Sequence, residues 1–233
     1  AERAALHAQI IADAVAGVPK SDAPTLYMMG GGPASGKSTI IKQNVVTHPT
    51  QHVLLNPDEF KEDLPEYREG IKAKDVRAAA FVHEESSLLN KAVGKEARER
   101  GQDIVWDGTG DGTIQKLRDQ IAAYRAKGYR VKADYVTTPT EVAVERVYSR
   151  GMREGRFVPL ADVRNTHREV ARILPLAVAE GLFDEMTLWD TSTDALVLVA
   201  RATGKNLQIV NQALWQVFLN KGKETYFSDI IKA

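Results

Sequence analysis

With 233 residues the chain has room for a core of its own and fits one α/β domain with appendages; its 31 Lys+Arg balance 31 Asp+Glu, leaving no net charge to draw it to nucleic acid or an anionic membrane surface. Cysteine is absent, which excludes disulfides, thiolate metal sites and cysteine nucleophiles and fits a cytoplasmic protein. No apolar run approaches the roughly 20 residues that a membrane span requires.

In chain order, residues 1–20 space Leu6, Ile10, Ile11 and Val15 as on one helical face, without the basic start and continuous apolar stretch of a signal peptide. They predict an N-terminal packing helix. The chain opens on Ala1 rather than Met, which points to a trimmed chain or a piece of a longer one. Apolar runs near 25–29, 52–55, 103–107, 130–136, 185–189 and 195–200 predict strands, with helices between most of them. That rhythm is the βαβ repeat of a mostly parallel sheet with helices on both faces, a three-layer α/β/α architecture. A long helix is expected from about Ala73 to Arg100. Residues 151–160 carry Gly, Arg and Pro without periodicity and read as a mobile loop, the best candidate for a lid. From Asn206 onward Leu207, Val210, Leu214, Val217 and Phe218 predict a final amphipathic helix, followed by a tail with Tyr226 and Phe227.

The strongest local signal is Gly31-Gly32-Pro33-Ala34-Ser35-Gly36-Lys37-Ser38-Thr39, which fits the phosphate-binding pattern G-x-x-x-x-G-K-[ST]. Composition alone would produce it in roughly one chain of this length in a hundred, and the expected strand before it and helix after it lower that figure further. The glycines let backbone N–H groups turn inward around a β-phosphate, Lys37 reaches the β- and γ-phosphates, and the Ser38 hydroxyl is placed to ligate Mg²⁺. The expectation is therefore a site for ATP or GTP. The domain plan is an N-terminal helix over 1–20, a phosphate-loop domain over 24–204 and a C-terminal helix and tail over 205–233.

Ligands of open α/β sheets sit beyond the carboxyl ends of the strands, so the next strand ends matter. The second ends in Asn56-Pro57-Asp58-Glu59-Phe60, where Asp58 either accepts the proton of an attacking hydroxyl or merely caps a helix. The third ends in Asp107-Gly108-Thr109-Gly110, where Asp107 either holds a Mg²⁺ water or forms a plain turn. Within the long helix, Phe81, Val82, Leu88, Leu89, Ala92 and Val93 form an apolar stripe with Glu85 near its middle. Because burying a lone carboxylate is costly, Glu85 either meets an internal partner such as an Arg or lines a cleft and accepts hydrogen bonds from substrate hydroxyls. Arg146, Arg150 and Arg153 recur at helical spacing ahead of Arg156. Of these, Arg150 and Arg156 flank the Gly-rich turn and are the choices for closing over a transferring phosphoryl group; Arg146 and Arg153 fit an ordinary solvated helix face.

Taken together, residues 31–39, Asn56-Pro57-Asp58-Glu59-Phe60, Glu85-Ser86, Asp107-Gly108-Thr109 and Arg150 with Arg156-x-Val-Pro resemble the zeta toxins, phosphate-loop kinases of bacterial toxin–antitoxin systems and phages. The resemblance covers about residues 24–175, and 1–20 and 206–233 carry no motif of the family. It implies a P-loop kinase that phosphorylates the 3′-hydroxyl of the amino sugar in UDP-N-acetylglucosamine, with an antitoxin as a protein partner. By resemblance Asp58 is the base, Glu85 a sugar contact, Lys37, Arg150 and Arg156 the phosphate clamp, and Thr109 part of the substrate wall with Asp107. The same fold serves kinases of NAD, of antibiotics and of polynucleotide 5′-ends, and a nucleotide-regulated binding module is a further alternative. Neutral charge argues against a nucleic-acid acceptor, and Asp58 against a pure binding module.

Overall fold

The computed structural model describes residues 2–43, 45–75, 77–154 and 158–224. In chain order its elements are α1 (Glu2–Val15), β1 (Thr25–Gly30), α2 (Lys37–Lys42), β2 (Val53–Leu55), α3 (Pro57–Glu62), α4 (Pro65–Lys72), α5 (Ala78–Phe81), α6 (His83–Arg100), β3 (Ile104–Asp107), α7 (Ile114–Arg125), β4 (Arg130–Thr137), α8 (Thr140–Glu154), α9 (Leu160–Glu180), β5 (Glu185–Asp190), β6 (Val197–Thr203), β7 (Asn206–Ile209) and α10 (Gln212–Lys221). The strands form a mostly parallel seven-stranded sheet in the order β2-β3-β1-β4-β5-β6-β7. Two compact units divide the chain: Ala1–Tyr27 with His48–Asp107 and Ala126–Tyr129, and Met28–Thr47 with Gly108–Arg125 and Arg130–Ala233.

In the first unit β2 and β3 pair in parallel with Leu55 opposite Trp106, and α1 and α3 both pack on α6. The buried face of α6 is Ser86, Leu89, Asn90, Val93, Gly94 and Ala97, a three-four spacing that puts one row against the core. The expected helix over 73–100 is broken: α5 ends at Phe81 and α6 starts anew after Val82. The expected stripe is displaced as well, with Val82, Leu89 and Val93 buried but Phe81 78% and Leu88 61% exposed. The packed row holds small and polar residues, Ser86, Asn90, Gly94 and Ala97, beside Leu89 and Val93, so it does not follow hydropathy alone. Gly101, at φ 68°, closes α6 in the left-handed conformation that ends many helices.

In the second unit β4 and β5 are parallel, while β6 and β7 add antiparallel to the edge. Alternation explains β5, where Met186, Leu188 and Asp190 point inward, and the start of β4, where Val131, Ala133 and Tyr135 are buried, before Val136 and Thr137 are buried in succession. The expected helix from Asn206 is instead strand β7, paired with β6 across the two-residue turn Gly204-Lys205, and α10 begins only at Gln212. Leu207 and Val210 therefore lie before the helix, which Asn211 caps by accepting the Leu214 N–H at 3.0 Å. Its buried residues are Trp215, Phe218 and Lys221. Tyr226 and Phe227 lie outside the described residues. Among the described residues no helix is long and apolar enough to cross a membrane.

Candidate active site

Residues 31–36 connect β1 to α2 in a tight loop. Gly36, at φ 94°, takes a backbone conformation that a side chain disfavours, and a Cβ on it would also press on Thr191 Oγ1 at 2.9 Å. The loop is pinned from within, with the Gly31 N–H donating to Thr109 O at 2.8 Å, Ser35 N–H to Gly32 O at 3.1 Å and Thr39 N–H to Gly36 O at 2.9 Å. Lys37 folds back so that Nζ donates to Gly31 O at 3.0 Å, which holds its ammonium across the loop. A glycine-rich turn between a strand and a helix, with an ammonium held across it, has the form of an anion cradle. Ser35 Oγ, buried in the same loop, has no hydrogen-bond partner among the described residues. Ser38 stands exposed in the first turn of α2, with Thr39 half-buried beside it.

The loop is also held from behind. Thr191 Oγ1 donates to Ser35 O at 2.6 Å, and Arg146 donates to Thr191 O at 2.6 Å. Arg146 is thus a support of the loop rather than the ordinary solvated arginine that helical spacing indicates. His167, on α9, places Nε2 3.0 Å from Pro33 O. Burial, followed by the charge of Lys221 and Lys37, pushes this imidazole down to about 4, so it is neutral at pH 7.

In the first unit the acidic residues gather at the ends of β2 and β3. Asn56 caps α3: its side-chain oxygen accepts the Asp58 N–H at 3.0 Å. The capping alternative for Asp58 therefore falls to Asn56, a role its neighbours Pro57 and Asp58 support from the first turn. The Asp58 carboxylate is 56% exposed and accepts at Oδ1 from Lys61 Nζ at 2.6 Å, an ammonium that is itself almost wholly buried. Asn56 Nδ2 also reaches Asp107 Oδ2 at 3.5 Å, a contact made available by the level exits of the two paired strands. Burial first, and then the nearby Glu62, Asp107 and Asp63, raise the Glu59 carboxyl above its ordinary range.

Glu85 meets an internal partner. Arg3 of α1 donates to it from Nε at 2.6 Å and from Nη2 at 2.5 Å, and His7 bonds the same carboxylate. Arg3 also grips Glu66 with two bonds of 2.9 Å. The Arg3 bonds come first among the causes that hold Glu85 at about 2. Thr109 donates its hydroxyl to Asp111, and Asp111 Oδ2 accepts from Thr166 Oγ1 at 3.0 Å. Arg150 sits half-exposed in α8, whereas Arg156 lies outside the described residues. Sequence reasoning missed Asp111, Thr166, His167, Thr191 and Lys61. A buried-face count over α9 would have flagged the polar pair Thr166-His167 on an otherwise apolar row.

The family model of the zeta toxins matches residues 9–201. The chain belongs to the zeta toxin family. Curated zeta toxins of Streptococcus agalactiae and Enterococcus hirae are 25% and 24% identical to it over 182 and 189 residues, or 72% and 76% of this chain. The chain spans 61% and 64% of the length of those two relatives. Among solved structures, the AvrRxo1-ORF1:AvrRxo1-ORF2 crystal structure with sulphate ions superposes with a TM-score of 0.72 at 21% identity, covering 97% of this chain and 75% of that one. The structure reported for the PezAT chromosomal toxin–antitoxin system of Streptococcus pneumoniae gives 0.66 at 16% identity, covering 99% and 91%. At such identities both likenesses concern the fold alone.

Proposed function

We propose that this zeta toxin family member is an ATP-dependent phosphotransferase acting on an alcohol, and that the acceptor is the 3′-hydroxyl of the amino sugar in UDP-N-acetylglucosamine. The observation that carries the reading is the cradle of residues 31–36 with Lys37 folded across it, an arrangement suited to a nucleoside triphosphate. A crystal structure of AvrRxo1-ORF1:-ORF2 with ATP, similar in fold at a TM-score of 0.69, agrees with a nucleotide ligand. Asp58 is the general base. It takes the proton of the acceptor hydroxyl as that oxygen forms a bond to the γ-phosphorus, the bond from γ-phosphorus to the bridging oxygen breaks, and ADP leaves with the electron pair. Lys61 fixes one oxygen of that base, while Lys37, with Arg150 and Arg156, offsets charge on the phosphoryl group.

Ser38 and Asp107 supply hard oxygen donors of the kind Mg²⁺ prefers, and one or two such donors beside substrate phosphates are its usual complement. When bound, the ion neutralises charge on the β- and γ-phosphates. On the acceptor side Asp107 and Thr109 line the wall, and Glu85 would have to trade its Arg3 ion pair for sugar hydroxyls. The PezAT toxin–antitoxin system among the structural neighbours supports an antitoxin as the protein partner.

The test is to incubate the chain with ATP, Mg²⁺ and, separately, UDP-N-acetylglucosamine or NAD, reading ADP release and the mass of the acceptor. A gain of one phosphoryl group on the nucleotide sugar is expected. A gain on NAD alone would move the acceptor, and ADP release with no acceptor gain in either tube would remove the transferase reading.

A further inference from the structure

Two neighbouring residues of α9, Thr166 and His167, are polar yet almost wholly buried, and neither takes part in the chemistry proposed above. Both lead to the phosphate loop. His167 Nε2 lies 3.0 Å from Pro33 O, and because a carbonyl only accepts, Nε2 must carry the proton. The same ring occupies the space where a Cβ on Gly32 would lie, with Nε2 at 2.5 Å and Cγ at 2.8 Å from that point. Thr166 acts through Asp111, whose carboxylate is shared. One oxygen accepts from Thr166 Oγ1 at 3.0 Å and the other from the Thr109 hydroxyl, while the Thr109 carbonyl receives the Gly31 N–H at 2.8 Å.

We propose that Thr166 and His167, with Asp111, are positioning residues that hold the phosphate loop in its anion-receiving shape, so that α9 sets nucleotide affinity without touching the nucleotide. The inference rests on the reading of this loop as the triphosphate site. Its physical basis is preorganisation. N–H groups gathered around an anion repel one another's dipoles, and a loop that must gather them on binding loses the cost of that ordering from its affinity. The two chains of bonds end at Gly31 and Pro33, at the start and middle of the loop. They start from adjacent positions of a 21-residue helix, whose length makes it a stiff anchor. Burial, followed by the charge of Lys221 and Lys37, keeps the imidazole neutral, and its one proton, on Nε2, serves the Pro33 carbonyl. Thr109 changes role on this account: its hydroxyl is used to fix the loop, so its contribution to a substrate wall is its methyl and backbone.

Three variants of the full chain test the proposal: His167→Leu, His167→Gln and Thr166→Val. Gln can place an amide N–H close to the Nε2 position, whereas Leu fills space without a donor, and Val keeps the shape of Thr without its hydroxyl. Amide hydrogen exchange over residues 31–36 is followed without nucleotide, and the ATP dissociation constant is measured by calorimetry. For His167→Leu the loop amides should exchange about tenfold faster and ATP should bind about tenfold more weakly, the scale of one lost buried hydrogen bond. Amides of β4 and β5 should keep their wild-type rates. His167→Gln should restore both readings to within about threefold, and Thr166→Val should move both in the same direction by a smaller factor. If β4 and β5 also speed up in the Leu variant, its fold is affected globally and Thr166→Val decides. Loop exchange and affinity within about twofold of wild type in both Leu and Val variants would overturn the proposal, as would a Gln variant no better than Leu. Should wild type bind no ATP, the triphosphate reading falls, and loop exchange alone decides whether α9 braces the loop.

Discussion

Replacing Glu85 by Gln separates an ion pair that holds α1 from a contact that holds substrate. In the structure Glu85 accepts two bonds from Arg3, at 2.6 and 2.5 Å, and a third from His7, so the amide would keep the shape but lose the charge and turn an NH₂ toward the guanidinium. Holding the carboxyl at about 2 instead of 4.5 corresponds to at most about 3 kcal/mol. Solvent reduces this, because the Arg3 side chain is 39% exposed, and exposed pairs contribute about 0–1 kcal/mol. A loss of about 1–2 kcal/mol is therefore expected, which for a chain of this size lowers the melting temperature by about 3–6 °C at pH 7. Because the folded-state value is depressed, the stabilisation is fully present above pH 4.5 and fades as pH falls toward 2. The gap between wild type and variant should accordingly narrow below pH 4.5 and close near 2, whereas Glu66, also lowered by Arg3, titrates in both proteins. Thermal melts by circular dichroism between pH 3 and 7 read this directly. Melting within 1 °C of wild type at pH 7, with a tenfold or larger rise in acceptor KM, would refute the ion-pair account and return Glu85 to the acceptor wall.

Lys37→Ala should leave less than about 1% of phosphoryl transfer, measured by coupled ADP release, because the ammonium across the loop offsets charge that grows in the transition state. Near-normal turnover would sink the kinase reading. Asp58→Asn should bind ATP within a fewfold of wild type and lose turnover by about 10² or more, with Lys61 still offered an amide oxygen. Loss of ATP affinity in place of turnover would instead assign Asp58 to nucleotide binding. On α6, Leu89→Ala should cost about 2–5 kcal/mol by urea denaturation and Leu88→Ala within about 0.5 kcal/mol, since Leu89 is 1% and Leu88 61% exposed. The opposite ranking would mean the packed face of α6 is misassigned.

The residues that lie together in the chain were legible without coordinates. The loop 31–39 is one contiguous pattern whose glycines, lysine and flanking apolar run are all local, so sequence alone determined its place between β1 and α2. The same holds for the placement of Asp58 just past β2 and Asp107 at the end of β3, and for the apolar runs of a mostly parallel sheet. Tertiary structure decided whatever depends on a partner distant in sequence. Periodicity placed Glu85 on the inward side of α6 but could not choose its partner, because Arg3 lies 82 residues away and reaches it only through the packing of α1 on α6. Asn56 took the capping role because its side chain, rather than that of Asp58, stands where the first free N–H of α3 points. Residues 206–211 look helical by spacing, yet β6 leaves an unpaired edge, and a two-residue turn at Gly204-Lys205 brings the next segment onto it before a helix can start. The brace of Thr166, His167 and Asp111 shows locally only as two polar residues on the apolar row of α9; its partners stay hidden, since hydrogen bonds spanning 55 and 134 residues are fixed by tertiary packing and not by what precedes or follows each residue.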